Sequence, residues 1–241
     1  MTDHIPFMMP ERSHSFVQKW HHVSFLHWEV DPVRLSSYIP TKLELDTTYN
    51  GKAYIAIIPF MMRDIRPRLA FSIPSISTFP EFNIRTYVKQ GEKSSVFFLT
   101  LDAQSRITCL YAPYAYGPPY KYAKCRFEVD GDNYSWNSKR IDGCQEIIGS
   151  CIGKGELIKA EPGSLDEFLF ERYYLYTIHK KKLSIGYTCH EPLTLRKGKA
   201  KIITNTLAQS YNLGISNTLQ PDFTHISSGV LVNTWSIEKV G

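Results

Sequence analysis

Apolar residues along this chain recur mostly at every second position or in short unbroken runs, which is the period of half-buried and doubly buried strands. Tyr49-Asn50-Gly51-Lys52 is a turn signal ahead of Ala53 to Met62, an apolar run suited to a strand covered on both faces. Asn83 to Lys89 and Ser95 to Ala103 read as strands joined through Gln90-Gly91-Glu92-Lys93. Lys121 to Val129 and Asn133 to Lys139 make a second hairpin across Asp130-Gly131. Ile158 to Lys159, Leu183 to Cys189 and Val230 to Ile237 are further strand expectations.

Helical signals are fewer. Asp31-Pro32 opens a short helix that Pro40 stops. Ser164-Leu165-Asp166-Glu167 is a capping box, and Leu165, Phe168, Leu169, Arg172, Tyr173 and Tyr176 follow at helical spacing. The basic run His179-Lys180-Lys181-Lys182 would close that helix, where cations complement the dipole. Thr206 to Leu213 predicts a last helix, with Gly214 as its left-handed stop. Many strands, few helices and hairpin connections predict an α+β fold on a large antiparallel sheet, closed or nearly so. No repeat, low-complexity tract or Gly/Ser linker divides residues 1–241, so a single domain is expected.

Composition narrows the function classes. The chain carries 15 Tyr and 13 Phe, which suits Tyr-rich strands or an aromatic-lined cavity. A net charge of +5 without any aromatic-basic motif gives no basis for nucleic-acid binding and leaves room for an anionic small ligand. No apolar run approaches the roughly 20 residues that span a bilayer, so no membrane partner is expected. Five cysteines without a CxxC, and the lack of a secretory pattern in Met1-Thr2-Asp3-His4-Ile5-Pro6, point to reduced thiols and a cytoplasmic protein.

Gly117-Pro118-Pro119-Tyr120-Lys121-Tyr122-Ala123 resembles the segment in which acetoacetate decarboxylases carry two adjacent lysines, the first forming a Schiff base. Here Tyr120 stands at the first position and Lys121 at the second. A phenol cannot condense with a ketone to an iminium, and on a strand Lys121 would face away from Tyr120. The likeness extends along the chain. His27-Trp28-Glu29-Val30-Asp31-Pro32, Leu43-Glu44-Leu45-Asp46, Ile58-Pro59-Phe60-Met61-Met62, Phe79-Pro80-Glu81-Phe82-Asn83-Ile84-Arg85-Thr86-Tyr87-Val88 and His190-Glu191-Pro192-Leu193 resemble the uncharacterised bacterial YqjF-like (DUF2071) family. That family is grouped with acetoacetate decarboxylase. The resemblance implies a large cone-like antiparallel barrel with peripheral helices and a central cavity.

Glu81 stands where the decarboxylases carry an acidic residue lining the cavity. On a strand from Phe79, Glu81, Asn83, Arg85 and Tyr87 share one face, and Phe82, Ile84, Thr86 and Val88 the other. The second face is apolar enough to be the core side. The polar row then points inward only if the strand is buried on both faces; otherwise it is a Glu81–Arg85 ion pair or a solvated surface. Inside a cavity, Arg85 would seat a carboxylate in a bidentate fork, with Glu81 and Tyr120 as candidates for acid–base work. Arg68, in Arg66-Pro67-Arg68, is a candidate for closing over an anion at the mouth. Tyr116 and Tyr120, with Tyr111, Tyr114 and Tyr122, are candidates for a stacking wall.

His21, His22 and His27 invite a metal reading, with His21 and His27 facing one way on a strand. No acidic ligand joins them at ligand spacing, and HExxH is absent. No P-loop, GxGxxG after a strand or GxSxG is present, so no cofactor is expected. The expectation is a cavity for an organic acid or carbonyl compound. An acid–base enzyme and an interaction module without ligand are the alternatives, and homo-oligomerisation is left open.

Overall fold

The computed structural model describes residues 4–240. Its strands are β1 (Phe16–Val30), β2 (Glu44–Leu45), β3 (Ala53–Pro67), β4 (Phe79–Gln90), β5 (Lys93–Ala103), β6 (Tyr120–Asp130), β7 (Asn133–Arg140), β8 (Glu146–Ile158), β9 (Tyr174–His179), β10 (Lys182–Cys189), β11 (Leu195–Asn205), β12 (Phe223–Thr234) and β13 (Glu238–Lys239). The helices are α1 (Pro32–Ser36), α2 (Pro74–Ser77), α3 (Arg106–Tyr116), α4 (Leu165–Phe170) and α5 (Thr206–Gln209). The fold is mostly β, in one sheet of 13 strands. Nine of them, β5-β6-β7-β8-β11-β12-β1-β3-β4, form a ring that closes through the β4–β5 pairing. A second closure through β10–β12 ties β9 and β10 to the same ring.

β3 and β4 lie between two apolar clusters. Ile55 and Ile57 of β3 and Phe82 and Ile84 of β4 join Leu26, Trp28 and Trp136 on one side. Tyr54, Ala56, Ile58 and Phe60 pack with Phe25 and Phe170 on the other. Every residue of β4 from Glu81 to Val88 is buried, so the strand is covered on both faces. That is the condition under which its polar row turns inward.

β1 and β3 each contain one extra residue in their shared ladder, between His21 and Leu26 in β1 and opposite Val17 to Lys19 in β3. The left-handed residues sit there, His22 at φ 52° and Asp64 at φ 53°. A bulge of this kind inverts the facing of everything beyond it. His21 and His27 therefore lie on opposite faces, contrary to the simple alternation. Gly229, at φ 126°, sits opposite His21, and a Cβ there would lie 1.9 Å from the Trp20 carbonyl oxygen.

Three other expectations change. The helix begun by Ser164 stops at Phe170, and Tyr174 to His179 form β9, so Tyr173 and Tyr176 are not on its stripe. The lysine run makes the β9–β10 hairpin turn, with Lys180 and Lys181 at φ 49° and 63°. The helix after Asn205 covers only Thr206–Gln209, although Gly214 does adopt φ 84°. Ser164 caps α4 by accepting from the Glu167 N–H at 3.1 Å, while the Glu167 carboxylate reaches the N–H of Gly163 rather than that of Ser164.

Helix α3 was not anticipated. Ser105 caps it by accepting from the Thr108 N–H, and Gly117 at φ 86° ends it with its N–H on the carbonyls of Ala112 and Pro113. A Cβ on Gly117 would lie 2.8 Å from Thr177 Oγ1 and 2.9 Å from the Ile178 carbonyl oxygen, so both the turn and the space require glycine. α3 is the crossover that lets β6 run parallel to β5, pairing Leu101 with Tyr120. The helix stop and Pro118-Pro119 thus set Tyr120 beside Leu101 at the start of β6, on the side of the Tyr54–Phe60 cluster.

Candidate functional site

The interior of the nine-stranded ring is filled by the cluster of Trp28, Phe82 and Trp136. A cavity of about 330 Å³ lies on the other face of β4, within the second closed ring β12-β1-β3-β4-β5-β9-β10. Its walls are largely apolar, with Phe25, Ile58, Phe60, Val96, Phe98 and Leu101 among them. Glu81, Asn83 and Arg85 project into it from β4, and Tyr120 faces them from β6. Alternation on one strand fixes this row, because side chains two residues apart share a face about 6.7 Å apart.

Glu81 is 3% exposed. The Tyr120 hydroxyl donates to its Oε2 at 3.0 Å. Burial raises the Glu81 carboxyl to about 8, the Tyr120 hydrogen bond opposing only part of that rise. Burial and the neighbouring Glu81 push the Tyr120 phenol well above its ordinary range. At neutral pH the pair is mostly uncharged and holds two protons.

Arg85 is 8% exposed. Its Nη2 donates to the Leu169 carbonyl at 3.2 Å, and its buried Nε has no hydrogen-bond partner among the described residues. No carboxylate pairs with it among the described residues, so the Glu81–Arg85 ion pair does not form. The row explains why: four residues of strand separate the two Cα atoms by about 13 Å. The guanidinium also leans over the Tyr87 ring, 5.8 Å from its centroid, on the side away from Glu81.

The Leu169 carbonyl, at the end of α4, also accepts from the Tyr87 hydroxyl at 3.0 Å. His27 Nε2 meets the same hydroxyl at 2.8 Å, and since that oxygen has spent its proton on Leu169, the ring nitrogen is the donor. Burial and the nearby Arg85 and His225 hold His27 well below the usual histidine range, consistent with a neutral ring. α4 is thereby tied to β4 and, through Tyr87, to His27 of β1. Arg172, which itself lines the cavity, braces α4, with Nη1 2.7 Å from Asp46 Oδ2 and Nε 2.7 Å from the Phe168 carbonyl.

The other candidates divide. Tyr116 and Tyr111 line the cavity near its mouth, and burial raises Tyr116 to about 12. Tyr114 is 72% exposed, with Lys180 over its ring, and Tyr122 lies under Arg106; neither lines the cavity. Arg68 is exposed and outside the lining, the chain having turned away after Pro67, which does line it. Lys121 is exposed on the opposite face of β6 from Tyr120. Among the described residues no lysine lines the cavity. No group of three or more His, Cys, Asp or Glu side chains among them is placed to hold a metal ion.

Asn83 and Arg172 were not among the expected site residues. Asn83 was on the row, and its signal was parity alone. Arg172 follows the capped helix and carries no sequence signal of its own, since its partner Asp46 is 126 residues away.

Among solved structures, acetoacetate decarboxylase from Legionella pneumophila subsp. pneumophila str. Philadelphia 1 matches with a TM-score of 0.64 at 15% identity, over 99% of this chain and 93% of that one. The enduracididine biosynthesis enzyme MppR, complexed with pyruvate, gives 0.66 at 12%, over 98% and 93%. An acetoacetate decarboxylase-like enzyme from Sphingomonas wittichii RW1 gives 0.65 at 9%, over 98% and 97%. At such identities the likeness carries the fold alone, which is that of the acetoacetate decarboxylase-like proteins. The uncharacterized protein YqjF of Bacillus subtilis (strain 168) is 36% identical over 223 residues, 92% of this chain and 91% of that protein. The model of the DUF2071 family, described as an uncharacterized conserved protein, matches residues 17–231, and the chain belongs to that family.

Proposed function

We propose that the cavity, read as the centre of a cone-like barrel, binds a small organic acid or carbonyl compound and forms no Schiff base with it. The observation that carries this reading is Arg85, a guanidinium more than nine-tenths buried, without a carboxylate partner among the described residues, opening onto an apolar cavity. A buried cation without an anion is costly, and a ligand carboxylate relieves that cost with charge-assisted hydrogen bonds. The uncharged Glu81–Tyr120 pair supplies hydrogen bonds for a carbonyl or hydroxyl further along the ligand. The mild positive charge and five free cysteines accord with an acidic ligand and a cytoplasmic setting.

Isothermal titration with pyruvate, acetoacetate and longer carboxylates tests it. Binding should occur in the unaltered protein and be lost in Arg85→Gln. Incubation with acetoacetate and borohydride should leave the protein mass unchanged, and an isopropyl adduct on a lysine would overturn the Schiff-base clause. Binding of none of these acids would leave a module without ligand as the better reading.

One observation favours a second reading, an acid–base enzyme. A carboxyl raised to about 8, 3.0 Å from a phenol, can donate or accept a proton near neutral pH. Turnover of a bound ligand that Glu81→Gln abolishes without weakening binding would establish it.

A further inference from the structure

Helix α3 turns its apolar stripe outward. Ile107, Leu110, Tyr111 and Tyr114 recur at the three- and four-residue spacing of a single helix face. No residue of α3 is buried, and on this face Leu110 is 81% exposed. The connection from β3 to α2 does likewise, with Leu69 91% and Phe71 95% exposed. Ile76 of α2 and Ile107 and Tyr111 of α3 meet solvent and also line the cavity, so the two apolar segments frame its mouth. Exposed apolar groups gathered in this way mark a surface that another body covers.

Charge identifies the body. Arg66 and Arg68 stand in the first segment and Arg106 opens the second, while no acid occurs between Asp64 and Glu81 or between Asp102 and Glu128. Lys180 lies over the Tyr114 ring, 5.2 Å from its centroid, which brings the Lys180-Lys181 turn to the same rim. A second copy seated face to face here would set these cations against their counterparts, and the two segments hold no acid to meet them. An anionic bilayer answers both features, taking the apolar side chains into its interface and the cations onto its phosphates. An 11-residue helix is too short to span a bilayer, but resting on one requires only that its exposed stripe enter the headgroup layer. We propose that the rim of the cavity docks on an anionic lipid surface, with the mouth turned toward the membrane. This does not rest on the carboxylate seat at Arg85.

Co-flotation with vesicles tests it. The chain should float with vesicles of equal parts phosphatidylcholine and phosphatidylglycerol, stay behind with phosphatidylcholine alone, and be held less well as salt rises. Phe71→Ser combined with Leu110→Ser, both outside the cavity lining, should lower the partition more than about tenfold. Arg68→Glu combined with Arg106→Glu should lower it as far. Absence of flotation with the anionic vesicles overturns the proposal, as does equal flotation with the neutral ones or flotation that survives the Phe71 and Leu110 changes. A dimer in sedimentation equilibrium that those changes dissociate, with no vesicle binding, would make the rim an interface between copies and overturn it too. Carboxylate titration into the Phe71→Ser, Leu110→Ser protein should match that of the unaltered protein, so the seat and the rim are read separately. The comparison of the two vesicle types needs no variant at all.

Discussion

Replacing Glu81 by glutamine should flatten the pH dependence of folding stability between pH 5 and 8. In the folded chain the Glu81 carboxyl keeps its proton up to about pH 8, whereas in the unfolded chain it ionises near 4.5. Between those values the folded state holds one proton more than the unfolded state. Stability from this group is fully present below the lower value and is lost as pH rises through the upper one. Each unit of pH within the window costs about 1.4 kcal/mol. Allowing for partial ionisation at both ends, the loss between pH 5 and 8 is about 3–4 kcal/mol. Glu81 is almost wholly buried, so solvent screening does not reduce this figure much.

Glutamine has the same shape, accepts from Tyr120 through its carbonyl and does not titrate. At pH 5 the two proteins should agree within about 1 kcal/mol, and at pH 8 the variant should be the more stable. The measurement is the difference between the two urea-unfolding free energies at each pH. Subtraction removes the opposite trend from His27, His190 and His225, whose folded values are lowered and which add stability as pH rises. A difference that stays constant from pH 5 to 8 would refute the reasoning, since Glu81 would then be ionised in the folded protein and unable to act as a donor.

Arg85→Ala should cost less than about 1.5 kcal/mol, because it strands no charge and the Leu169 carbonyl keeps its bond from Tyr87. A loss of 3–5 kcal/mol in chemical denaturation would reveal a buried ion partner instead. Phe170→Ala, which empties a site against Phe25, His27 and His225, should cost about 3–5 kcal/mol by urea unfolding. Phe168→Ala should cost less, its ring being only half-buried beneath Arg172. Gly229→Ala should lower the thermal midpoint sharply or prevent folding, and an unchanged midpoint would mean the Trp20 carbonyl is not where the ladder puts it.

The hairpins were legible because their turns carry Gln90-Gly91 and Asp130-Gly131, residues that state their own geometry. β8 was nearly invisible. It contains Gly149, which has no side chain because a Cβ would meet the Trp136 ring at 2.8 Å, and glycines erase the alternation that marks a strand. α3 was hidden by Pro113 and by three tyrosines that resemble strand composition. The early end of α4 follows from tertiary pairing rather than local preference, since Tyr174 to His179 take strand partners on β10 and β5. For the site, parity on β4 put Glu81, Asn83 and Arg85 on one face without help. What parity cannot supply is the occupant of the other face, or that Glu81 meets a hydroxyl 39 residues later. Only the closure of the ring decides those.

The left-handed residues His22 and Asp64 make each long strand two shorter ones spliced out of phase. On β1 the residues reaching the cavity are Phe16, Gln18 and Trp20 before the splice, then Val23 and Phe25 after it; on β3 they are Ile58, Phe60 and Met62 before, then Ile65 and Pro67 after. The splice at Asp64 falls opposite Gln18, nearer the Phe16–Pro67 end of the ladder than the splice at His22. A one-residue length change within a strand ordinarily turns over every side chain beyond it. Placed at His22 or Asp64, such a change would re-present the entrance while the row of Glu81, Asn83 and Arg85 kept its walls. This chain thus has a built-in place where its entrance can change independently of what the row holds.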